Sequence, residues 1–179
     1  VFDLMIAATG WNEKRLKAAG RDVMVIHTHP NNHAGYYPDA KQIALKLIFD
    51  PKSGEILGGQ GVGVDGVDKR IDVIATAIRG GITAPELADL ELAYAPPFGS
   101  AKDPVNMLGY IAENMASGLL KTAQWNQTQE LRSAGYQLID VRTPSEFNRG
   151  SIPGAVNIPV DEIRDRVSEI KKQPILVNC

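Results

Sequence analysis

Cys179 is the chain's one cysteine and its last residue, and it is the strongest candidate nucleophile in the sequence. It follows the apolar run Pro174-Ile175-Leu176-Val177-Asn178, which reads as a short buried strand. A thiol at the C-terminal end of a strand stands where α/β folds put their chemistry. The reactive form is the thiolate, which needs backbone N–H groups or nearby cations to lower its pKa. Against this stands a plainer reading, because a lone cysteine is more often buried and inert.

Other residue types offer less. The three histidines, His27, His29 and His33, have no acid cluster near them in sequence and make a poor metal site. They are expected to be satisfied polar residues, and no metal is expected. Tyr36, Tyr37 and Tyr94 lie in or beside Gly/Pro-rich stretches. Such tyrosines usually pack with the hydroxyl wet. Beside a thiol, one could donate a hydrogen bond to sulfur or act as an acid. Spacing alone leaves both open. Gly59-Gln60-Gly61-Val62-Gly63 does not make a dinucleotide cradle, since no helix N-terminus follows directly to hold a pyrophosphate. A Gly-x-Gly-x-x-Gly turn between strand and helix is absent, so no dinucleotide-binding half is expected.

The elements that must position these groups follow from hydrophobic period and turn residues. Phe2 to Thr9 reads as a strand ended by Gly10. Asn12 caps a short helix over 13–19, and 22–29 is a second strand. Ile43, Leu45, Leu47 and Phe49 alternate, Asp50 to Gly54 turns, and 55–64 returns as a glycine-rich strand of a long hairpin. Its glycines predict close backbone packing or bulges. Val67, Ile71, Ile74, Ala75 and Ile78 change to helical spacing, ended by Gly80-Gly81. Thr83 and Glu86 form a capping-box signature for another short helix. Pro96-Pro97 forbids regular structure, and Asp103-Pro104 opens a further helix. The segment 117–127 reads as a linker. After it come a short helix, a strand over 136–141, a turn at 150–155, an extended stretch at 156–159, a helix over 161–172 and the closing strand. This is strand–helix–strand logic with a parallel sheet.

The 179 residues allow one large domain or two small ones. Apolar content of 44%, charged content of 22% and a net charge of −2 are ordinary for a soluble globular protein and point to no nucleic-acid partner. No apolar run approaches membrane-spanning length. One cysteine excludes an internal disulfide framework and fits a reducing, cytoplasmic setting. The start, Val1-Phe2-Asp3-Leu4-Met5-Ile6, has no signal-peptide pattern and looks like mid-strand. Both ends suggest a piece of a longer protein.

Two stretches carry a stronger message. Leu138-Ile139-Asp140-Val141-Arg142-Thr143-Pro144-Ser145-Glu146-Phe147, then Gly150-Ser151-Ile152-Pro153-Gly154-Ala155-Val156-Asn157-Ile158-Pro159, then a strand ending in cysteine, resembles the rhodanese family of sulfurtransferases. The resemblance implies that Cys179 carries a persulfide and that Asp140 and Arg142 are structural supports. Ser151 stands where the family often has His. Family members cradle the sulfur with amides of the loop that follows the cysteine, so 128–179 is expected to be an incomplete α/β rhodanese-like domain.

His33-Ala34-Gly35-Tyr36-Tyr37-Pro38, the hairpin around Phe49-Asp50-Pro51, Asp65-Gly66-Val67-Asp68-Lys69-Arg70-Ile71-Asp72 and Leu90 to Asp103 are similar to a second family. It is the dimerisation domain of the pyridine nucleotide-disulfide oxidoreductases, in the branch of coenzyme A-disulfide and NADH-dependent persulfide reductases. That resemblance implies an α+β domain over 1–116, an antiparallel sheet with helices, working as a homodimer. FAD and NADH are then the cofactors of the parent enzyme, and none is expected in the fragment. Tyr94 and Tyr36 would approach the sulfur chemistry. Pro96 and Pro97 would lie near the partner's flavin. Lys102 and Tyr37 would contact coenzyme A or another thiol substrate, although a solvated lysine is an equal reading of Lys102. Two alternatives remain: a sulfur-carrier unit with a structural first domain, and an inert Cys179.

Overall fold

The computed structural model describes residues 2–179, with compact units meeting in sequence between Lys121 and Thr122. In the first, strands β1 (Met5–Gly10), β2 (Met24–Thr28), β3 (Ala44–Phe49) and β4 (Ile56–Gly63) form an antiparallel sheet in the order β1-β4-β3-β2. Alternation along β3 buries Leu45, Leu47 and Phe49 on one face. Helices α2 (Val67–Gly80) and α3 (Pro104–Ala116) supply Ile71, Ile74, Val105, Leu108 and Ala112 to the same core. The other face carries the short helix α1 (Glu13–Ala18), whose Leu16 packs on Val25 and Ile48.

The glycines of β4 let α2 come close. A Cβ on Gly61 would stand 2.6 Å from Val67 Cγ1, and one on Gly63 would stand 2.7 Å from Ile43 Cγ2. Neither could be accommodated without moving the helix or the sheet. The register also shifts between Ile48 and Phe49, so the hairpin holds both close packing and an irregularity.

Two expectations shift at the ends of elements. The first strand begins at Met5, not Phe2, because its partner β4 ends at Gly63, opposite Met5. Phe2 is exposed in a turn. Glu86 accepts hydrogen bonds from both Thr83 N and Thr83 Oγ1, yet the segment Pro85–Asp89 is a 3₁₀ turn.

Asp103 caps α3 by accepting from Val105 N, and Asn106 returns the bond to Asp103 N. Asp103 also holds the fully buried Arg70, with Nη2 donating to Oδ2 at 2.8 Å and Nε donating to Oδ1 at 3.3 Å. Arg70 Nη2 also donates to Asn32 O, and Nη1 donates to Gly66 O. One guanidinium thus ties α2, the start of α3 and the loop after β2 together.

The second unit has a parallel sheet ordered β6-β5-β7, from β5 (Gln137–Asp140), β6 (Val156–Asn157) and β7 (Ile175–Asn178). Helices α4 (Thr128–Ser133) and α5 (Pro144–Arg149) flank β5 in sequence. The helix expected over 161–172 is not formed. Turns occupy the stretch, with one 3₁₀ turn at Val167–Glu169, because none of its residues is buried. A helix needs an apolar face packed on something, and this one has none. The closing strand forms beside β5, with Ile175 and Val177 exposed rather than buried. No helix among the described residues is long and apolar enough to cross a membrane.

Removing one partner of the buried pair should be costly. Asp103→Ala strands the Arg70 charge and deletes a helix cap, so unfolding in urea should show a loss of about 3–5 kcal/mol. Replacing both residues, as in Arg70→Met with Asp103→Ala, should cost less than the sum of the single changes.

Candidate functional site

In the first unit, two loops bring the tyrosines together. Ala34 N donates to Gly99 O at 2.8 Å, and Phe98 N and Gly99 N both donate to Ala95 O, closing the Pro96-Pro97 turn. Across this junction the hydroxyls of Tyr36 and Tyr94 lie 2.8 Å apart, a hydrogen bond between exposed side chains 58 positions apart. That bond, followed by desolvation, raises the Tyr94 hydroxyl above its ordinary pKa. Tyr37 lies edge-on to the buried His33, with ring centroids 5.7 Å apart. His33 Nδ1 is 3.2 Å from Ala34 O. The histidine is a satisfied packing residue. Pro96 and Pro97 are half-buried, and Phe98 beside them is exposed. Lys102 is exposed above the Tyr110 ring at 5.3 Å, and that neighbour raises its pKa.

In the second unit, Cys179 is exposed at the end of β7. It lines a cleft of about 350 Å³ with Arg142, Gly150, Ser151, Ile152, Pro153 and Asn178. Asp140, wholly buried at the end of β5, organises that wall. It accepts from Arg142 Nε and Nη2, from Arg142 N and from Asn178 Nδ2 at 3.0 Å. Arg142 Nη2 also donates to Gly150 O at 2.9 Å. The Arg142 guanidinium is the main reason the Asp140 carboxyl lies below its usual range, with Arg142 N and Asn178 adding to it. Asp140 in turn is the main group that raises the Arg142 pKa, with Glu146 and Cys179 adding smaller contributions. Sequence reasoning treated Asp140 and Arg142 as supports; Arg142 also lines the cleft beside the thiol. It did not single out Asn178 or Asn157. Asn178 locks the cysteine-bearing strand to Asp140, and Asn157 Nδ2 donates to Asp140 O and Arg142 O. The one signal for Asn178 was its place beside the cysteine.

Within each unit the structure thus gathers the residues singled out from sequence. Tyr36 and Tyr94 touch in the first, and Cys179, Asp140 and Arg142 converge in the second. Among the described residues no three His, Cys, Asp or Glu side chains converge as metal ligands.

The comparisons agree with this division. Residues 1–104 match the family described as pyridine nucleotide-disulphide oxidoreductase, dimerisation domain, and residues 123–179 match the rhodanese-like domain. The chain belongs to the pyridine nucleotide-disulphide oxidoreductase dimerisation-domain family and continues into a rhodanese-like segment. The coenzyme A disulfide reductase of Staphylococcus haemolyticus is 39% identical over 114 residues, 64% of this chain and 26% of that protein. The reduced CoADR-RHD of Bacillus anthracis is 52% identical, with a TM-score of 0.97, and covers 100% of this chain and 32% of its own. A NAD-dependent persulfide reductase from A. fulgidus is 40% identical, with a TM-score of 0.88 and the same coverage of 100% and 32%. The chain therefore spans about a quarter of the curated relative and about a third of these structures.

Asp140 gives the second unit a pH dependence. Its folded pKa is lowered, so its contribution is present above the unfolded value of about 3.9 and is lost as pH falls through the folded value. Amide signals of β5 should therefore weaken in acid. Asp140→Asn should lower stability at neutral pH and flatten that acid dependence.

Proposed function

We propose that the chain is part of an FAD- and NADH-dependent reductase of disulfides and persulfides, of the coenzyme A-disulfide or coenzyme A-persulfide kind. Its rhodanese-like segment would carry sulfane sulfur on Cys179. One observation carries the reading. A dimerisation-domain unit presenting the Tyr36–Tyr94 hydroxyl pair shares a chain with a rhodanese-like unit whose thiol opens on a cleft beside Arg142.

The glycine-rich strand β4 does not itself cradle a dinucleotide. Side chains of Ile74, Val67 and Ile43 fill the space over the β4 glycines, so no phosphate could approach that backbone. FAD and NADH would be held by other parts of the enzyme. The first unit's role is to pair with a second copy. Exposed Tyr36, Tyr94 and Phe98 on adjoining loops support that, since they form an apolar surface fit to be covered. Pro96 and Pro97 on the same loop would then flank the partner's flavin. Lys102 and Tyr37 would meet the anionic thiol substrate, coenzyme A or a related carrier. A cytoplasmic setting fits the free thiol.

The chemistry of the chain's own residues follows. The Cys179 thiolate attacks the outer sulfur of a persulfide R–S–SH. A bond forms between Cys179 Sγ and that sulfur, and the R–S–S link breaks with its electron pair leaving on the thiolate R–S⁻. Cys179 then holds the persulfide, and no oxidant or reductant is consumed. The Arg142 guanidinium in the cleft wall stabilises the anionic sulfur by charge. In the first unit, the Tyr94–Tyr36 pair can donate a hydrogen bond to a thiolate as it leaves a disulfide.

In the enzyme that contains this chain, Cys179→Ser should abolish thiosulfate-to-cyanide sulfur transfer. It should slow NADH-dependent persulfide reduction at least about tenfold and leave coenzyme A-disulfide reduction intact. Unchanged persulfide turnover would rule out sulfur relay through Cys179. Tyr94→Phe should slow disulfide reduction on the order of 10²-fold with the melting temperature unchanged. An unaltered rate would remove Tyr94 from the site.

A further inference from the structure

Four arginines among the described residues are buried or half-buried: Arg70, Arg132, Arg142 and Arg166. Three of them face a carboxylate: Asp103 at 2.8 Å, Asp140 at 2.7 Å and Glu162 at 2.9 Å. Arg132 is the exception and has no carboxylate partner. A cation drawn part-way out of water without a counter-charge is an unfavourable arrangement that a bound anion would relieve.

Its surroundings are built in a particular way. Arg132 lines a cleft of about 420 Å³ with Lys171, Tyr136, Gln129 and Gln173 among its walls, and no Asp or Glu. Lys171 is a second cation without an ion pair, and its main chain is pinned by a hydrogen bond from Lys171 N to Gln137 Oε1 at 2.9 Å. The Arg132 guanidinium lies against Gly154 (φ +81°), where a Cβ would stand 3.2 Å from Cζ. Glycine there lets the Pro153-Gly154 turn tuck under the fork and seat it. Arginine's planar fork suits an oxyanion bidentately, and Lys171 adds a point charge. The cleft lies by Tyr136 and Gln137, at the start of β5, whereas the thiol cleft lies at the strand's other end.

We infer that the Arg132–Lys171 cleft of the second unit is a binding site for a phosphate monoester, separate from the Cys179 cleft and independent of the sulfur chemistry proposed for it. Two charges, neutral donors and no acid match a dianion with several acceptor oxygens.

The test is a titration of the 179-residue chain, followed by ¹H–¹⁵N spectra, first with inorganic phosphate and then with adenosine 3′,5′-bisphosphate. Saturable shifts are expected at the Gly154 amide and Arg132 Nε, with dissociation constants on the order of 1 mM for phosphate. Arg132→Gln and Lys171→Gln should each weaken binding roughly tenfold, about 1.4 kcal/mol. Arg132→Lys should restore part of the loss. Arg164→Gln, which removes an exposed charge outside the cleft, should change nothing. Tighter binding of the bisphosphate would identify a nucleotide-borne phosphate as the ligand, and equal affinity would identify the phosphate group alone. Absence of saturable shifts would overturn the site. So would equal affinity in Arg132→Gln, or a comparable loss in Arg164→Gln, since either would make the attraction non-specific.

Discussion

A single buried ion pair, Arg70 with Asp103, is what the first unit's site depends on. Burying a guanidinium is costly unless it is paired, and here each of its three nitrogens has a partner among the carboxylate of Asp103 and the carbonyls of Asn32 and Gly66. Each partner belongs to a different piece of chain. Asn32 precedes the Tyr36 loop, Gly66 precedes α2, and Asp103 caps α3 just after the Tyr94 loop. Satisfying one side chain therefore sets where both tyrosine loops start and end. Asn32 reinforces this by donating from Nδ2 to Asp65 and accepting from Lys41 N.

The second unit uses a related pair, but with only one member fully buried. There the wholly buried group is a carboxylate, Asp140, and the half-exposed one is an arginine. Asp140 reaches Asn178 on the neighbouring strand, so the same interaction holds β7 in register and aims the residue that follows it. A support in the sense of the fold is also a wall of the cleft. The two roles are inseparable, because Arg142 can face the thiol only while Asp140 holds its other edge.

Much of this was legible in the sequence where the pattern was local. The hairpin, the Asn12 and Asp103 caps, and the period change into α2 follow from alternation, capping residues and glycine placement, each a property of a few neighbouring residues. The helix expected over 161–172 failed because helix-compatible residues do not by themselves supply the surface a helix must pack against. The closing strand was recognised, but its exposure was not, since a run of apolar residues names a strand without naming what covers it.

The candidate chemistry divides along the same line. By itself the sequence determined the residue types and the two motif-bearing segments: a terminal cysteine after an apolar strand, an Asp-x-Arg, and tyrosines in Gly/Pro-rich loops. Only the tertiary structure decided which of them meet. It paired Tyr36 with Tyr94, set Arg142 beside Cys179, brought Asn178 to Asp140, and left Arg132 without a carboxylate. The physical reason is range. Propensity and period act over a few residues, whereas hydrogen bonds between groups tens of positions apart exist only after the chain has packed.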